Sequence, residues 1–186
     1  MQPSALSGGF ANASIEAADA FRQIMNVLAH PGDIAKISGA APPAPMSVAA
    51  GTAILTLCDP ETPIFLAPSI DTRDICDWIT FHTGAPIVVA EKAQFALGRW
   101  DELPITAFQI GTPEYPDSSA TLIVEMDEIV AKGATLRGPG IKDSATLSLP
   151  EIEAFQKKAK LFPLGLDFFF TEGCRIAGLP RTTKVT

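Results

Sequence analysis

The longest stretch of helical periodicity lies near the start of the chain. Apolar residues recur at intervals of three and four from Ile15 to Leu28, which places them along one face of a helix. Ser14 is positioned to cap its start, and His30 precedes a Pro-Gly stop signal, where its ring can interact with the end of the helix dipole. We predict a helix between Ser14 and His30.

Two further helices follow a proline-rich connector. The segment 39–45 contains prolines 42, 43 and 45, which favour an extended loop within one domain. Pro45 can occupy the first turn of a helix running to about Leu57, whose small residues allow close packing on a sheet. Ile75, Trp78 and Ile79, followed by Phe81, form the apolar stripe of the next helix.

Short apolar runs between and after these helices predict strands. They cover residues 34–37, 63–67, 86–90, 121–126, 134–137, 166–171 and 175–179. The last two are predicted to form a hairpin, and a further helix is expected from Pro150 to about Leu161. We therefore predict a single α/β domain over residues 1–186, with a mixed sheet of about six or seven strands flanked by helices on both faces.

Composition narrows the classes of function. The chain has 14 Lys and Arg against 21 Asp and Glu, a net charge of -7, which argues against nucleic acid as the main partner. Its apolar runs are far shorter than the roughly 20 residues of a membrane helix, so we expect a cytoplasmic protein without membrane contact. Three widely spaced cysteines without a Cys-x-x-Cys predict reduced, mostly buried thiols and no metal site.

The sharpest ligand-binding candidate is the glycine loop after the strand at 134–137. Arg137, with the backbone amides of Gly138 and Gly140, has the chemistry to hold a phosphate. The spacing matches neither a Walker loop nor a dinucleotide fingerprint, and Pro139 removes one amide. A tight turn that simply ends the strand is the alternative.

The remaining titratable candidates are weak. His82 has the chemistry of an acid or base, but no motif places a nucleophile or carboxylate beside it, and a packing or helix-end role is the alternative. Binding of pyridoxal phosphate as a Schiff base would need a buried lysine, and the sequence offers no such candidate. Lys157, Lys158 and Lys160 lie together on a predicted polar helix, and Lys36 is expected on the solvent face of its strand. We expect no cofactor and assign no catalytic residue.

The C-terminal tail is a candidate interaction segment. Arg181, Thr182 and Thr183 combine a cation with two hydroxyl groups, which suits an anion or a protein partner. A frayed terminus is the alternative.

The chain contains many short motifs, none of which is specific alone. In their order and spacing, they resemble the phosphonate-metabolism protein family PhnH, the H subunit of the bacterial carbon-phosphorus lyase system. The resemblance spans nearly the whole chain. The residues that carry it are Gly9-Phe10, Phe21-Arg22, Met25, Pro31-Gly32, Leu55-Thr56-Leu57, Asp59, Thr62-Pro63, Phe81-His82-Thr83, Gly111-Thr112, Ala120-Thr121-Leu122, Leu136, Gly138-Pro139-Gly140-Ile141, Phe162-Pro163-Leu164-Gly165-Leu166-Asp167 and Pro180-Arg181-Thr182-Thr183.

The resemblance implies an accessory subunit of the carbon-phosphorus lyase core complex. In that complex a ribose 1-phosphonate 5-triphosphate intermediate is formed from a phosphonate and a nucleoside triphosphate, the ribose 1-methylphosphonate 5-triphosphate synthase step. It also implies a fold like that of the pyridoxal-phosphate-dependent transferases without the cofactor site, a homodimer in isolation, and the G, I and J subunits as partners. The alternative is an independent small transferase that binds a phosphorylated ligand at the Arg137 glycine loop.

Overall fold

The computed structural model describes residues 6–186, and four α-helices form within them. They are α1 (Ala13–Ala29), α2 (Val48–Leu57), α3 (Arg73–Thr83) and α4 (Ile152–Lys158). Each helix predicted from the sequence is therefore confirmed, although α4 gives way to a 3₁₀ turn at Ala159–Leu161. In this part of the chain, no helix combines the length and apolar character needed to cross a membrane.

Two helices begin at other residues than predicted. The cap of α1 is Asn12, whose side chain accepts a backbone hydrogen bond from the first turn, so the prediction of Ser14 is wrong. The cap of α2 is Ser47, and Pro45 precedes it instead of lying in the first turn. In both cases the helix starts where a side-chain oxygen can satisfy a free N–H group, which proline cannot do.

The same residues contain nine strands in two sheets. They are β1 (Ile34–Lys36), β2 (Ile64–Leu66), β3 (Phe95–Arg99), β4 (Thr121–Glu125), β5 (Ala134–Arg137), β6 (Ala145–Leu147), β7 (Asp167–Glu172), β8 (Arg175–Leu179) and β9 (Lys184–Val185). The larger sheet has six strands in the order β1-β8-β7-β4-β3-β2, and the smaller has three in the order β6-β5-β9.

The larger sheet is mixed, as predicted. Strands β2, β3, β4 and β7 are parallel neighbours, while β8 runs antiparallel to both β7 and β1. The predicted hairpin is confirmed, because Glu172 pairs with Arg175 across a two-residue turn. Lys36 is exposed at the end of β1, also as predicted.

Three strands have no counterpart in the predictions, and one predicted strand is wrong. Residues 86–90 make only a bridge between Ile87 and Ile64 before the chain enters a 3₁₀ turn at Ala90–Lys92. The unpredicted strand β3 contains Gly98, and a glycine inside an apolar run weakens the local sequence pattern that predicts a strand. A side chain there would overlap Ala67, so close packing against the neighbouring segment requires the glycine.

Two apolar layers form the core, one on each face of the larger sheet. Helices α1, α2 and α3 cover the first face, and α4 with the three-stranded sheet covers the second. The run Phe168-Phe169-Phe170 serves both layers: Phe169 belongs to the first, and its two neighbours belong to the second. A chain of this size thus builds a single α/β domain from one central sheet.

Candidate functional site

The predicted glycine loop is a tight turn. Ile141 donates its backbone N–H to the carbonyl of Gly138 at 3.2 Å, and Gly140 has a φ of 79°. Proline followed by a glycine of positive φ is the sequence of a type II turn. A side chain at Gly140 would overlap the carbonyl oxygen of Ala29, so contact with the end of α1 requires this glycine. These observations favour the turn over a phosphate loop.

Arg137 is exposed at the end of β5, and its cross-strand neighbour on β9 is Lys184. His82 lies in the last turn of α3, on the other face of the larger sheet. The structure therefore does not bring together the two residues that the transferase interpretation needs in one site.

His82 lies against the N-terminal segment. Its Nε2 is 3.3 Å from the carbonyl oxygen of Ser7, and its ring packs against Trp78, with the ring centroids 4.9 Å apart and the ring planes tilted by 57°. A side chain on Gly9 would overlap the imidazole. His30 makes the helix-end contact predicted for it, with Nδ1 3.1 Å from the carbonyl oxygen of Asn26. Both histidines thus have packing or capping contacts.

The C-terminal tail folds back onto the start of β7. The Arg181 guanidinium pairs with the Asp167 carboxylate and also donates to the carbonyl of Pro116. The Arg181 backbone N–H donates to the same carboxylate at 2.8 Å. Thr183 is buried, and Thr182 is exposed. The tail is therefore part of the fold, and its exposed surface is limited to side chains such as Thr182.

Sequence reasoning missed Lys158. Its Nζ is buried without a hydrogen-bond partner among residues 6–186, and it lies 4.9 Å from the ring centroid of Phe168. Desolvation lowers the pKa of Lys158 to about 8, partly offset by the charge of Glu151. The expectation that this lysine lies on a polar helix face is wrong, because α4 turns its Phe155 side into the core. Phe155 and Lys158 are three residues apart and therefore lie on the same face of the helix, which is the sequence signal that could have identified Lys158 as buried.

A pocket lies where the carboxyl ends of the parallel strands β3 and β4 meet. Glu125 accepts hydrogen bonds from the Ser47 backbone N–H at 2.7 Å and from the Thr171 hydroxyl at 2.9 Å. Burial raises the pKa of Glu125, against the effect of these hydrogen bonds. Ser69 and Arg99 also line this cavity of about 290 Å³. Open α/β sheets often hold ligands at this end, and here the buried titratable group is the Glu125 carboxyl, whose charged form burial disfavours.

The cysteines differ in exposure. All three are free; Cys58 is buried, Cys76 is half-buried, and Cys174 is exposed in the β7–β8 turn. Burial raises the pKa of Cys58 to about 12. The prediction of mostly buried thiols is therefore wrong for Cys174, because a two-residue hairpin turn projects into solvent.

These features define a single-domain α/β protein whose predicted site residues serve mainly turns, caps and packing. Comparison with known proteins gives the family. The family described as bacterial phosphonate metabolism protein (PhnH) matches residues 8–186, and the chain belongs to it.

Two relatives show how far the similarity extends. The chain is 38% identical over 189 residues to the alpha-D-ribose 1-methylphosphonate 5-triphosphate synthase subunit PhnH of Rhizobium meliloti (strain 1021), covering 96% of this chain and 94% of that protein. It is 28% identical over 173 residues to the putative C-P lyase subunit protein HtxG of Stutzerimonas stutzeri, covering 89% and 84%. The resemblance inferred from the motifs is confirmed.

Proposed function

We propose that this protein is an accessory subunit of the carbon-phosphorus lyase core complex in phosphonate catabolism. In this role it is needed to form ribose 1-phosphonate 5-triphosphate from a phosphonate and a nucleoside triphosphate. The observation that carries the proposal is the full-length similarity to a relative named as a subunit of that synthase. The finer parts of the proposal are a homodimer in isolation, the G, I and J subunits as partners, and a cytoplasmic location.

An exposed apolar face on α1 supports a role in assembly. The periodic residues that predict this helix do not all face the core: Ile15 is 60% exposed, Phe21 is 47% exposed and Met25 is 37% exposed. Phe21 and Met25 are one turn apart and share one face. Clustered exposed apolar side chains on a folded domain mark surfaces that contact other molecules. We assign this face to subunit contact.

The test is the mass of the purified chain by light scattering, alone and mixed with the G, I and J subunits. We expect a dimer that joins a larger stable assembly. Phe21→Gln with Met25→Gln should weaken that assembly, whereas the control Tyr115→Gln, which changes a side chain 68% exposed outside α1, should not. Normal assembly by the double variant would exclude the α1 face, and a chain that stays alone in every mixture would overturn the subunit role.

The tail needs a different experiment from simple truncation. Removing residues from Arg181 onward would also remove the Asp167 ion pair and the buried Val185, so loss of assembly could reflect unfolding. Thr182→Ala changes an exposed tail residue and leaves these contacts in place. Weakened assembly of this variant, with an unchanged melting temperature, would support the predicted interaction role of the tail.

The independent transferase remains the alternative proposal. It is supported by the exposed cations Arg137 and Lys184, which are cross-strand neighbours on β5 and β9 of the small sheet. Arg137→Ala should then abolish binding of a phosphorylated ligand without lowering the melting temperature. Unchanged binding, or destabilisation alone, would leave the turn as the whole role of this loop.

The fold implied by the resemblance is also a proposal. We propose the architecture of the pyridoxal-phosphate-dependent transferases without their cofactor site. The support is a mixed sheet with helices on both faces, as such an architecture requires. An experimental structure superposed on members of that fold would test it by the order and direction of the strands.

A further inference from the structure

An unpaired ammonium group is buried next to aromatic rings on the second face of the sheet. The Nζ of Lys158 lies 5.6 Å from the Trp100 ring centroid and 4.9 Å from that of Phe168, with no hydrogen-bond acceptor in the part of the chain that the structure describes. Cation–π contact compensates only part of the loss of hydration. The contacts of the described residues therefore compensate this buried charge only in part.

The surrounding charged groups have other partners. The Glu151 carboxylate, which precedes α4, accepts a hydrogen bond from Trp100 Nε1 at 3.0 Å. Arg181, which faces the same region from the tail, is bound to Asp167. Lys158 makes no salt bridge within residues 6–186. Among the described residues, the charge of Glu151 acts on this ammonium only partly and without a salt bridge, so no direct counter-charge for it is present in residues 6–186.

Lys158 forms part of the wall of two adjoining cavities. The larger, of about 260 Å³, is lined by Ile105, Ile110 and Leu161 and is almost entirely apolar. The smaller, of about 20 Å³, is lined by Thr183, whose buried Oγ1 also lacks a hydrogen-bond partner among the described residues. A space of this smaller size is enough for one water or one oxygen of a headgroup. An ammonium and a hydroxyl, both unsatisfied, thus lie beside an apolar space.

We propose that these cavities bind a small organic anion that carries an apolar body. Its acidic oxygens contact Lys158 and Thr183, and its apolar part lies against Ile105, Ile110 and Leu161. The larger cavity is smaller than the roughly 300–1,000 Å³ of pockets for drug-sized ligands, so the ligand is a compact one. Phosphonates and carboxylates share this chemistry. The proposal does not depend on the assembly role, because binding and assembly are measured separately.

Isothermal titration of the purified chain at about pH 7 tests the ligand class. Phenylphosphonate and benzoate are the anionic probes; benzyl alcohol lacks the charge, and inorganic phosphate lacks the apolar body. We expect saturable binding of at least one anionic probe, with both controls at least tenfold weaker. The stronger of the two anions identifies the headgroup. Equal binding of either control, or no binding of either anion, would overturn the proposal.

Matched variants locate the site. Lys158→Met should weaken binding at least tenfold, whereas Lys157→Met removes the same charge from the exposed neighbouring residue and should leave binding unchanged. Equal losses would indicate non-specific attraction and contradict the proposal. Ile110→Trp fills the larger cavity without a change of charge and should also weaken binding at least tenfold. Should Lys158→Met fail to fold, Ile110→Trp decides, and unchanged binding by this variant contradicts the site.

The pH dependence separates Lys158 from an ordinary surface lysine. Burial lowers the pKa of Lys158 to about 8. Benzoate stays ionised across the range, so its affinity should fall as the pH rises from about 7 to about 9.5, where an unperturbed lysine keeps its charge. The charged groups that face Lys158 are Glu151 and the Arg181–Asp167 pair. A flat profile would contradict binding through Lys158.

Discussion

The ion pair between Arg181 and Asp167 holds the C-terminal tail on the start of β7, and its removal should be costly. The side chains are 15% and 21% exposed, so water compensates poorly for a lost partner. In Asp167→Ala the guanidinium stays largely buried without its counter-charge, and the Arg181 backbone N–H also loses its acceptor. Removing one partner of a buried ion pair typically lowers the free energy of unfolding by about 3–5 kcal/mol. Because this pair is partly exposed, we expect a loss near the lower end, about 3 kcal/mol.

The assay is urea unfolding monitored by circular dichroism, together with thermal melting. For a domain of this length, about 3 kcal/mol corresponds to a fall of about 6–12 °C in melting temperature. Arg181→Met combined with Asp167→Leu should recover part of the loss, because the double variant leaves no buried charge unpaired.

The control is the exposed pair of Arg99 and Asp127, which is joined by two hydrogen bonds of 3.0 and 3.1 Å. Asp127 is 83% exposed, so Asp127→Ala should leave the unfolding midpoint unchanged within error. The reasoning from burial would be refuted if Asp167→Ala were as mild as Asp127→Ala, or if the variant with both Arg181→Met and Asp167→Leu were no more stable than Asp167→Ala.

Three further predictions concern single positions. Gly140→Ala should lower the free energy of unfolding by at least about 2 kcal/mol, because the added methyl group would overlap the last carbonyl of α1 and the backbone would also be strained. Glu125→Gln should stabilise the protein at about pH 8 and change its stability little below about pH 4. Because the pKa of Glu125 is raised in the folded protein, the parent protein loses stability as the pH rises from the unfolded-state pKa of this carboxyl to its folded-state pKa. Iodoacetamide should label exposed Cys174 quickly and buried Cys58 only on unfolding, as mass spectrometry of the labelled peptides will show.

Each of these predictions has a control. Gly173 also has a positive φ, 55°, but no atom within 4 Å of an added side chain, so Gly173→Ala measures the backbone strain alone and should cost less than Gly140→Ala. Equal costs would contradict the steric argument. Urea midpoints for Glu125→Gln that follow those of the parent protein at every pH would show that the buried carboxylate carries no penalty. Rapid labelling of Cys58 in the native state would mean that its region opens readily.

Much of the secondary structure could be predicted because its signals are local. The apolar periodicity identifies α1, the stripe of Ile75, Trp78 and Ile79 identifies α3, and all three of the α3 residues are buried. The β7–β8 hairpin follows from two apolar runs around a glycine turn. Strand β3 could not be found this way, because Gly98 weakens the local pattern and is explained only by its contact with Ala67.

The candidate site was less predictable, since it depends on residues far apart in the chain. The motifs that contain Asp167 and Arg181 are separate in the sequence, and only the β7–β8 pairing brings them into contact. Arg137 and His82 look equally available in the sequence, yet the fold places them on different faces of the larger sheet.

The sequence by itself determined the family, the α/β class and the presence of the four helices, because motif order and apolar periodicity can be followed along the chain, whereas the exact starts of α1 and α2 could not be predicted. Only the tertiary structure decided which side chains are unsatisfied. Lys157 and Lys158 are adjacent, but the docking of α4 turns Lys158 toward Trp100 and Phe168 and leaves Lys157 exposed. Burial and partner choice depend on how distant elements pack, so no local pattern of lysines could show which one is buried.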